Sequence, residues 1–254
     1  MTAAVLERRA WVEQVMGLPV SVHVRGPRPG AAADAVARLF AELRRADAVF
    51  SPYRDDSELN RLERGELALR DADHTMPEVL HLCGEARRRT AGWFDARGLP
   101  DPRTGRPRLD PSGLVKGWAA ERAAGHLAGL DGHGWCLNAG GDVLVSDADG
   151  HPPWRVGIED PAAPGRILRV VEVRSGAVAT SGDAHRGAHI VDPHTGRPAT
   201  AVRSVSVRGP SLMWADVHAT AAAARGSLAG LPPGYSGLLV ARDGTVTASP
   251  DWPG

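Results

Sequence analysis

The sequence predicts an α+β fold, and three observations carry that expectation. Apolar residues recur with period two in some segments and at helical spacing in others. The two kinds of segment are mixed without the regular strand–helix–strand alternation that a doubly wound parallel sheet requires. The chain also closes on an Asp243-Gly244 turn between apolar runs, the signature of a hairpin.

Taken in order, Leu18 to Arg25 places Val20, Val22 and Val24 on one face, which predicts a half-buried strand. Val36, Leu39, Phe40, Leu43, Ala46 and Phe50 follow at helical spacing and predict an amphipathic helix that stops at Ser51-Pro52. Thr75, Pro77 and Glu78 have the spacing of a capping box and predict a second helix reaching about Thr90. A third helix is expected over about Val115 to Leu130. Strands are expected at Trp135–Asn138, Val143–Ser146, Trp154–Glu159, Ile167–Arg174, Ala177–Thr180 and Ser204–Arg208. Ser211 is placed to cap a fourth helix over about Leu212 to Leu228. Leu238-Leu239-Val240 and Val246 form the arms of the closing hairpin. One heptapeptide pattern occurs twice, as Asp101-Pro-Arg-Thr-Gly-Arg-Pro107 and Asp192-Pro-His-Thr-Gly-Arg-Pro198. Asp-Pro opens a turn and Thr-Gly closes it, so the two read as similar turns, with an old duplication as the other reading.

With 254 residues, 43% hydrophobic and 24% charged, the chain can bury a core that needs neither disulfides nor a structural metal. No composition shift marks a linker, so a single domain over 1–254 is expected. Its 30 basic and 30 acidic residues cancel, which argues against nucleic acid or an anionic membrane surface as the main partner. Arg44-Arg45 and Arg87-Arg88-Arg89 sit in helical patterns and read as solvated faces. Cys83 and Cys136 lie far apart without metal spacing, so both read as small buried hydrophobes in a reducing compartment. Met1 to Ala10 carries charges and no apolar run, and no segment approaches the ~20 apolar residues of a membrane-spanning helix. Membrane insertion is therefore not expected, and a cytoplasmic location is.

Four segments concentrate the residues that do chemistry. In Asp110-Pro-Ser-Gly-Leu-Val-Lys-Gly117, Gly113 permits a tight turn, a helix start exposes N–H groups, and Lys116, the only lysine of the chain, adds an ammonium. That combination suits a phosphate; a capped helix with one surface lysine is the plainer reading. Asn138-Ala-Gly-Gly-Asp142 follows a strand, and its glycines either let a backbone approach a ligand or make a bulge. It lacks the spacing of a dinucleotide-binding turn. In Ala179-Thr-Ser-Gly-Asp183 and on to His189-Ile-Val-Asp-Pro193, Thr180 and Ser181 can hold phosphate oxygens and His189 can bond a ribose or accept a proton. No nucleophile elbow accompanies them, so a Ser-His-Asp hydrolase lacks support. In Trp214-Ala-Asp-Val-His-Ala-Thr220, Asp216 and Thr220 are four apart on one helical face. Their hard oxygens suit Mg²⁺ better than zinc, whereas His218 points off that face. A surface Asp with a Thr bonded back to its own helix is the alternative.

In order along the chain, these segments resemble the ApbE family of FAD:protein FMN transferases. The matching stretches are Val15-Met-Gly17, Ser51 with Tyr53, Asp56-Ser-Glu-Leu-Asn-Arg-Leu62, Gly92-Trp-Phe-Asp95, Asp110 to Gly117 and Asn138 to Asp142. They continue with Trp154 to Pro161, Ala179 to Asp183, His189 to Gly196 and Ala215 to Thr220, so the likeness runs from about Met16 to Gly226. The chain departs from the family between Asp95 and Asp110, where a longer segment is usual. It also shows neither the signal nor the anchoring cysteine of the family's exported lipoprotein members.

The resemblance implies mixed or antiparallel sheets with packed helices, and FAD held between two lobes with Mg²⁺ at its pyrophosphate. By position, Asp110 and Lys116 are similar to the family's flavin-binding Asp and Lys. Gly113 is similar to a main-chain metal ligand, and Asp216 and Thr220 to the metal ligands of the late helix. Met16, Tyr53, Phe94, Asp95 and Ile190 resemble residues lining the FAD pocket. The activity implied is Mg²⁺-dependent transfer of the FMN half of FAD to a threonine or serine hydroxyl of a target protein, with release of AMP. Lys116 would stabilise the transferred phosphate, and Asp183 and His189 are the two candidates to take the proton. With water as acceptor the same residues would make an FAD pyrophosphatase. A non-catalytic FAD-binding protein is the reading from another class, and Asp216, Thr220 and Lys116 speak against it, since binding alone needs no metal at the scissile phosphates.

Overall fold

The computed structural model describes residues 6–100, 105, 107–183 and 190–253. Strands β1 (Arg8–Val15) and β2 (Leu18–Arg25) form a hairpin that leads into α1 (Ala33–Phe50). Helices α2 (Glu58–Glu63) and α3 (Met76–Arg89) follow, then a short hairpin of β3 (Leu99–Pro100) and β4 (Pro107–Arg108). Helix α4 (Ser112–Ala124) precedes β5 (Gly134–Ala139) and β6 (Asp142–Ser146). Strands β7 (Trp154–Glu159) and β8 (Ile167–Val173) make a hairpin of their own. The chain then runs through β9 (Gly176–Gly182), a second short hairpin of β10 (Val191–Asp192) and β11 (Arg197–Pro198), and β12 (Val202–Gly209). Helix α5 (Leu212–Arg225) and strands β13 (Ser236–Ala241) and β14 (Val246–Ala248) complete it.

Eight strands join one sheet in the order β1-β2-β5-β6-β9-β12-β13-β14, antiparallel at each pairing. Because successive side chains alternate between faces, the central strands serve two cores. Val20, Val22, Leu137, Ala179, Val205 and Val207 enter one core with Leu39 and Phe40 of α1, Leu114 of α4 and Val217 of α5. Val143, Val145, Val178 and Leu238 face the other way, where Trp154, Val156, Ile158, Val171 and Val173 of the β7–β8 hairpin cover them. Helix α5 is buried on nearly all sides, and its alanines let it lie close to both the sheet and α4. Ser211 caps it by accepting the Trp214 N–H at 3.2 Å, and Gly226 ends it at φ 72°.

The mixed helices and antiparallel sheet match the expected α+β class, and the departures have local causes. Strand β1 escapes the alternation test because it is an edge strand whose charged and polar side chains face solvent. The capping box at Thr75 does not form. The Thr75 hydroxyl and N–H both bond Asp73 Oδ1, at 2.7 and 2.9 Å, and Glu78 accepts the Trp118 indole N–H at 3.0 Å instead. Helix α4 starts three residues earlier than expected, because Asp110 Oδ1 takes the Ser112 N–H at 3.0 Å and stops the chain short of a longer loop. The two heptapeptides fall on hairpins of matching register, Pro100↔Pro107 and Val191↔Pro198, although residues 101–104 and 106 lie outside the described set. Among the described residues, no helix is long and apolar enough to cross a membrane.

His218 of α5 is buried between the rings of Trp214 and Tyr235, and burial, aided by Arg89, lowers its pKa from 6.5 to about 4. The unfolded chain therefore binds a proton that the folded chain refuses between those two values. The contribution is fully present above pH 6.5 and is lost as pH falls toward about 4. A His218→Phe variant is expected to show a flatter stability profile across that window, measured by denaturant unfolding at stepped pH. A slope equal to that of the unsubstituted protein would remove His218 from the acid sensitivity.

Candidate active site

Two helices that nearly touch build the centre of the site. A Cβ on Gly117 would stand 2.7 Å from Met213 Cα, so only glycine allows α4 and α5 to approach this closely. Along the seam Gly113 faces Thr220, Lys116 faces Asp216, Gly117 faces Met213 and Glu121 meets Leu212. The contacts run in opposite order along the two helices, so the pair is antiparallel. Glu121 locks the far end, accepting the Leu212 N–H at 2.6 Å and the Ser211 hydroxyl at 3.1 Å, while its burial raises its pKa. At the near end the seam opens into a cleft of about 1450 Å³.

Of the residues singled out from the sequence, Met16, Tyr53, Phe94, Asp95, Asp110, Gly113, Lys116, Thr180, Ser181, Ile190, Asp216 and Thr220 all line this cleft. Met16 and Gly17 form the two-residue turn between β1 and β2, both at positive φ, 57° and 69°. A non-glycine residue held there is uncommon and carries strain that the hairpin imposes. Gly140 and Gly141 make the corresponding turn between β5 and β6, closed by Asn138 Oδ1 on the Gly141 N–H at 2.8 Å. The glycine pair is thus a hairpin tip and not a bulge. Tyr53 is 86% exposed, leaving its ring face open to the cleft. Phe94 is buried against Gly113, and the Asp95 carboxylate is tied to Arg87 and to the Arg97 N–H.

Strand alternation separates two neighbours that the sequence reading had grouped. Ser181 faces α5 and shares a hydrogen bond of 3.0 Å with Thr220 Oγ1, whereas Thr180 points to the other face and bonds Ser206 Oγ at 2.8 Å. Asp183 is not among the lining residues. Its chain has left β9 by then, and its carboxylate pairs with Arg242 at 2.6 Å. His189 lies outside the described residues.

Lys116 is where the charges meet. Its Nζ lies 2.5 Å from Asp142 Oδ2 and 3.5 Å from Asp216 Oδ2, and both carboxylates are almost wholly buried. Among the described residues, no group of three or more His, Cys, Asp or Glu side chains is placed to hold a metal. The seam offers oxygens of another kind, the Asp216 carboxylate and the Thr220 hydroxyl four residues on, with Gly113 packed beside Thr220; both are hard donors of the sort that suit Mg²⁺.

Sequence reasoning passed over Asp142 as an individual and Glu121, and it named Trp154 to Pro161 as a stretch of the resemblance without giving Arg155 to Glu159 of β7 the place in the cleft wall that they hold. Cys136, read as a small buried hydrophobe, packs against the second core, where burial pushes its thiol up to about 12, and it also reaches the cleft wall. The only signal for Asp142 was its place directly after a Gly-Gly turn. Nothing local marks Glu121, because its partners Ser211 and Leu212 come from a distant segment.

Comparison with known proteins gives this arrangement a family. The ApbE family model matches residues 16–100 and 101–232. An FAD:protein FMN transferase of Rhodobacter capsulatus is 34% identical over 158 residues, 57% of this chain and 30% of that protein. One from Vibrio cholerae serotype O1 is 36% identical over 124 residues, 44% of this chain and 37% of that protein. The matches thus span 30% and 37% of these curated relatives. Among solved structures, an ApbE protein from Thermotoga maritima aligns with a TM-score of 0.80 at 22% identity, covering 96% of this chain and 97% of that one. The flavin transferase ApbE from Vibrio cholerae aligns at 0.77 and 23% identity, covering 96% and 98%. These structures establish the shared fold. With the family's sequence pattern running from residue 16 to residue 232, the chain belongs to the ApbE family.

Proposed function

We propose that this protein transfers the FMN half of FAD to a threonine or serine hydroxyl of another protein. The observation that carries the reading is the convergence of Lys116, Asp216, Thr220 and the Gly113 main chain on the wall of one cleft. In the reaction the acceptor hydroxyl oxygen forms a bond to the flavin-side phosphorus, the bond from that phosphorus to the AMP oxygen breaks, and the hydroxyl proton is lost. Phosphoryl chemistry of this kind depends mainly on positioning and on stabilising charge.

Asp216, Thr220 and the Gly113 carbonyl would hold Mg²⁺, which when bound supplies Lewis-acid polarisation of the pyrophosphate. The Lys116 ammonium binds the phosphates from the second turn of α4 and offsets charge as it builds on the transferred group. Ser181 steadies the Thr220 hydroxyl through their shared hydrogen bond. Tyr53 and Met16 offer an aromatic face and a thioether to the flavin ring or adenine. Asp183 is engaged by Arg242 away from the cleft, so the base is not assigned to it.

The direct test is incubation with FAD, Mg²⁺ and candidate acceptor proteins, followed by mass spectrometry for an added FMN. Release of AMP with no modified protein would favour hydrolysis, and tight FAD binding without AMP would leave a carrier.

Two further outcomes are expected. The protein should bind FAD more tightly than FMN, because Asp110, Ser112, Lys116 and Ser181 line a cleft large enough for the AMP half as well as the flavin. Equal affinities in calorimetry would count against the assigned pocket. Lys116→Met should lower kcat as well as raise KM for FAD, since an ammonium that stabilises developing charge acts on the transition state. Arginine should rescue only in part, because its fork has a different geometry from a compact ammonium. An unchanged kcat in K116M would reduce Lys116 to a ground-state anchor.

A further inference from the structure

We propose that Asp142 is a positioning residue that holds the Lys116 ammonium at the cleft wall, an inference that rests on the flavin-transfer reading of the same site. A lysine ends in a point charge on a flexible four-carbon stem, and left alone it samples many rotamers. Lys116 is confined by two carboxylates, and the shorter contact, 2.5 Å, is to Asp142 and not to Asp216. Lys116 and Asp216 line the cleft; Asp142 does not, and at 1% exposure it stands behind the lysine.

Asp142 is itself held by the sheet. Strands β6 and β9 pair as far as Val143↔Val178, and β6 then turns away at Gly140-Gly141. The Thr180 N–H, two residues beyond that last pair, is taken by Asp142 Oδ1 at 2.9 Å. One carboxylate oxygen therefore extends the β6–β9 ladder by a side-chain bond, and the other aims the lysine. The Gly-Gly turn makes this possible, because it puts Asp142 at the first position of β6 with its side chain on the helix-facing side, in step with Leu144. The sheet thus sets where the charge on α4 stands, which neither helix does by itself.

The test is a double-mutant cycle over Asp142→Asn and Lys116→Met, read on the Kd for FAD and on kcat and KM for AMP release. Asparagine keeps an acceptor for the Thr180 N–H and removes only the charge. Acting through Lys116, Asp142→Asn should lower kcat roughly 10–100-fold, as expected for a partner that orients a site group from behind. In the K116M background the same change should have an effect within about twofold, in kcat and in Kd alike. Effects that multiply, or a D142N kcat within about twofold of the unsubstituted protein, would overturn the proposal. A merely structural Asp142 would give multiplying effects.

D142N is expected to stay folded, because Lys116 still has the Asp216 carboxylate at 3.5 Å to balance its charge. A D142N variant that does not fold would overturn the positioning role, since it would make Asp142 a residue that holds the structure together. If the unsubstituted protein releases no AMP and modifies no acceptor, the flavin-transfer reading falls, and the cycle on FAD affinity still decides whether Asp142 acts through Lys116.

Discussion

Asp216→Ala is expected to abolish AMP release and FMN transfer while the protein stays folded. Asp216 is 2% exposed on α5, facing Lys116, and it is the one carboxylate among the oxygens that would hold the cation. In the proposed role, losing it would remove a charged ligand from the scissile phosphates, a cost of several kcal/mol in transition-state stabilisation, or roughly two or more decades in rate. The fold should survive because Lys116 keeps Asp142 at 2.5 Å, so no ammonium is stranded in the wall. Asp216→Asn keeps the shape and one oxygen but not the charge, and should retain only a trace of turnover. Chromatographic assay of AMP beside a thermal melt decides it. Near-normal AMP release by D216A would sink the metal assignment.

The second large effect is expected at a residue with no functional group. Gly117→Ala places a methyl 2.7 Å from Met213 Cα, 2.9 Å from Met213 N and 3.0 Å from Leu212 O. All three are backbone atoms, so no side chain can swing aside and the helices must separate. Alanine gains about 1 kcal/mol of helix propensity over glycine. Overpacking costs about 1–3 kcal/mol and more where backbone must move, so the clash wins. Net destabilisation of roughly 1–2 kcal/mol corresponds to a melting temperature lower by roughly 2–8 °C. Separation at Gly117 also moves Lys116 relative to Asp216 one residue away, so kcat should fall by at least about tenfold, since misplacement of about 1 Å is that costly. Gly117→Val should be worse on both counts. Unchanged stability and turnover in G117A would show that α4 and α5 lie farther apart than this structure has them.

Both variants show how differently parts of the molecule can be read. Asp216 and Thr220 announce themselves in the sequence, because a four-residue spacing puts two oxygens on one helical face whatever surrounds the helix. Gly117 is one of 30 glycines, and only the facing helix makes it irreplaceable. Thr180 and Ser181 show the same divide within one dipeptide. Their hydroxyls were legible as chemistry, but strand alternation sends Ser181 to Thr220 and Thr180 to Ser206. Asp183 shares the motif and still ends outside the cleft, since Arg242 comes from the end of β13, 59 positions away in number, to pair with it.

By itself the sequence determined what depends on neighbours within a few residues. Such features are the apolar periods of β2, α1 and the sheet strands, the Ser211 cap of α5, the Asp243-Gly244 hairpin, and the order of motifs that places the chain in its family. These are local because backbone geometry fixes a period of 2 or about 3.6 before any long-range contact forms. The tertiary structure alone decided the antiparallel α4–α5 seam, the edge position of β1, the loss of the Thr75 capping box to Asp73 and Trp118, and the placing of Asp142 behind Lys116. In each of those cases the partner lies far along the chain, and which polar group meets which is settled by burial. A buried charge or N–H must find a partner wherever the packed backbone happens to bring one.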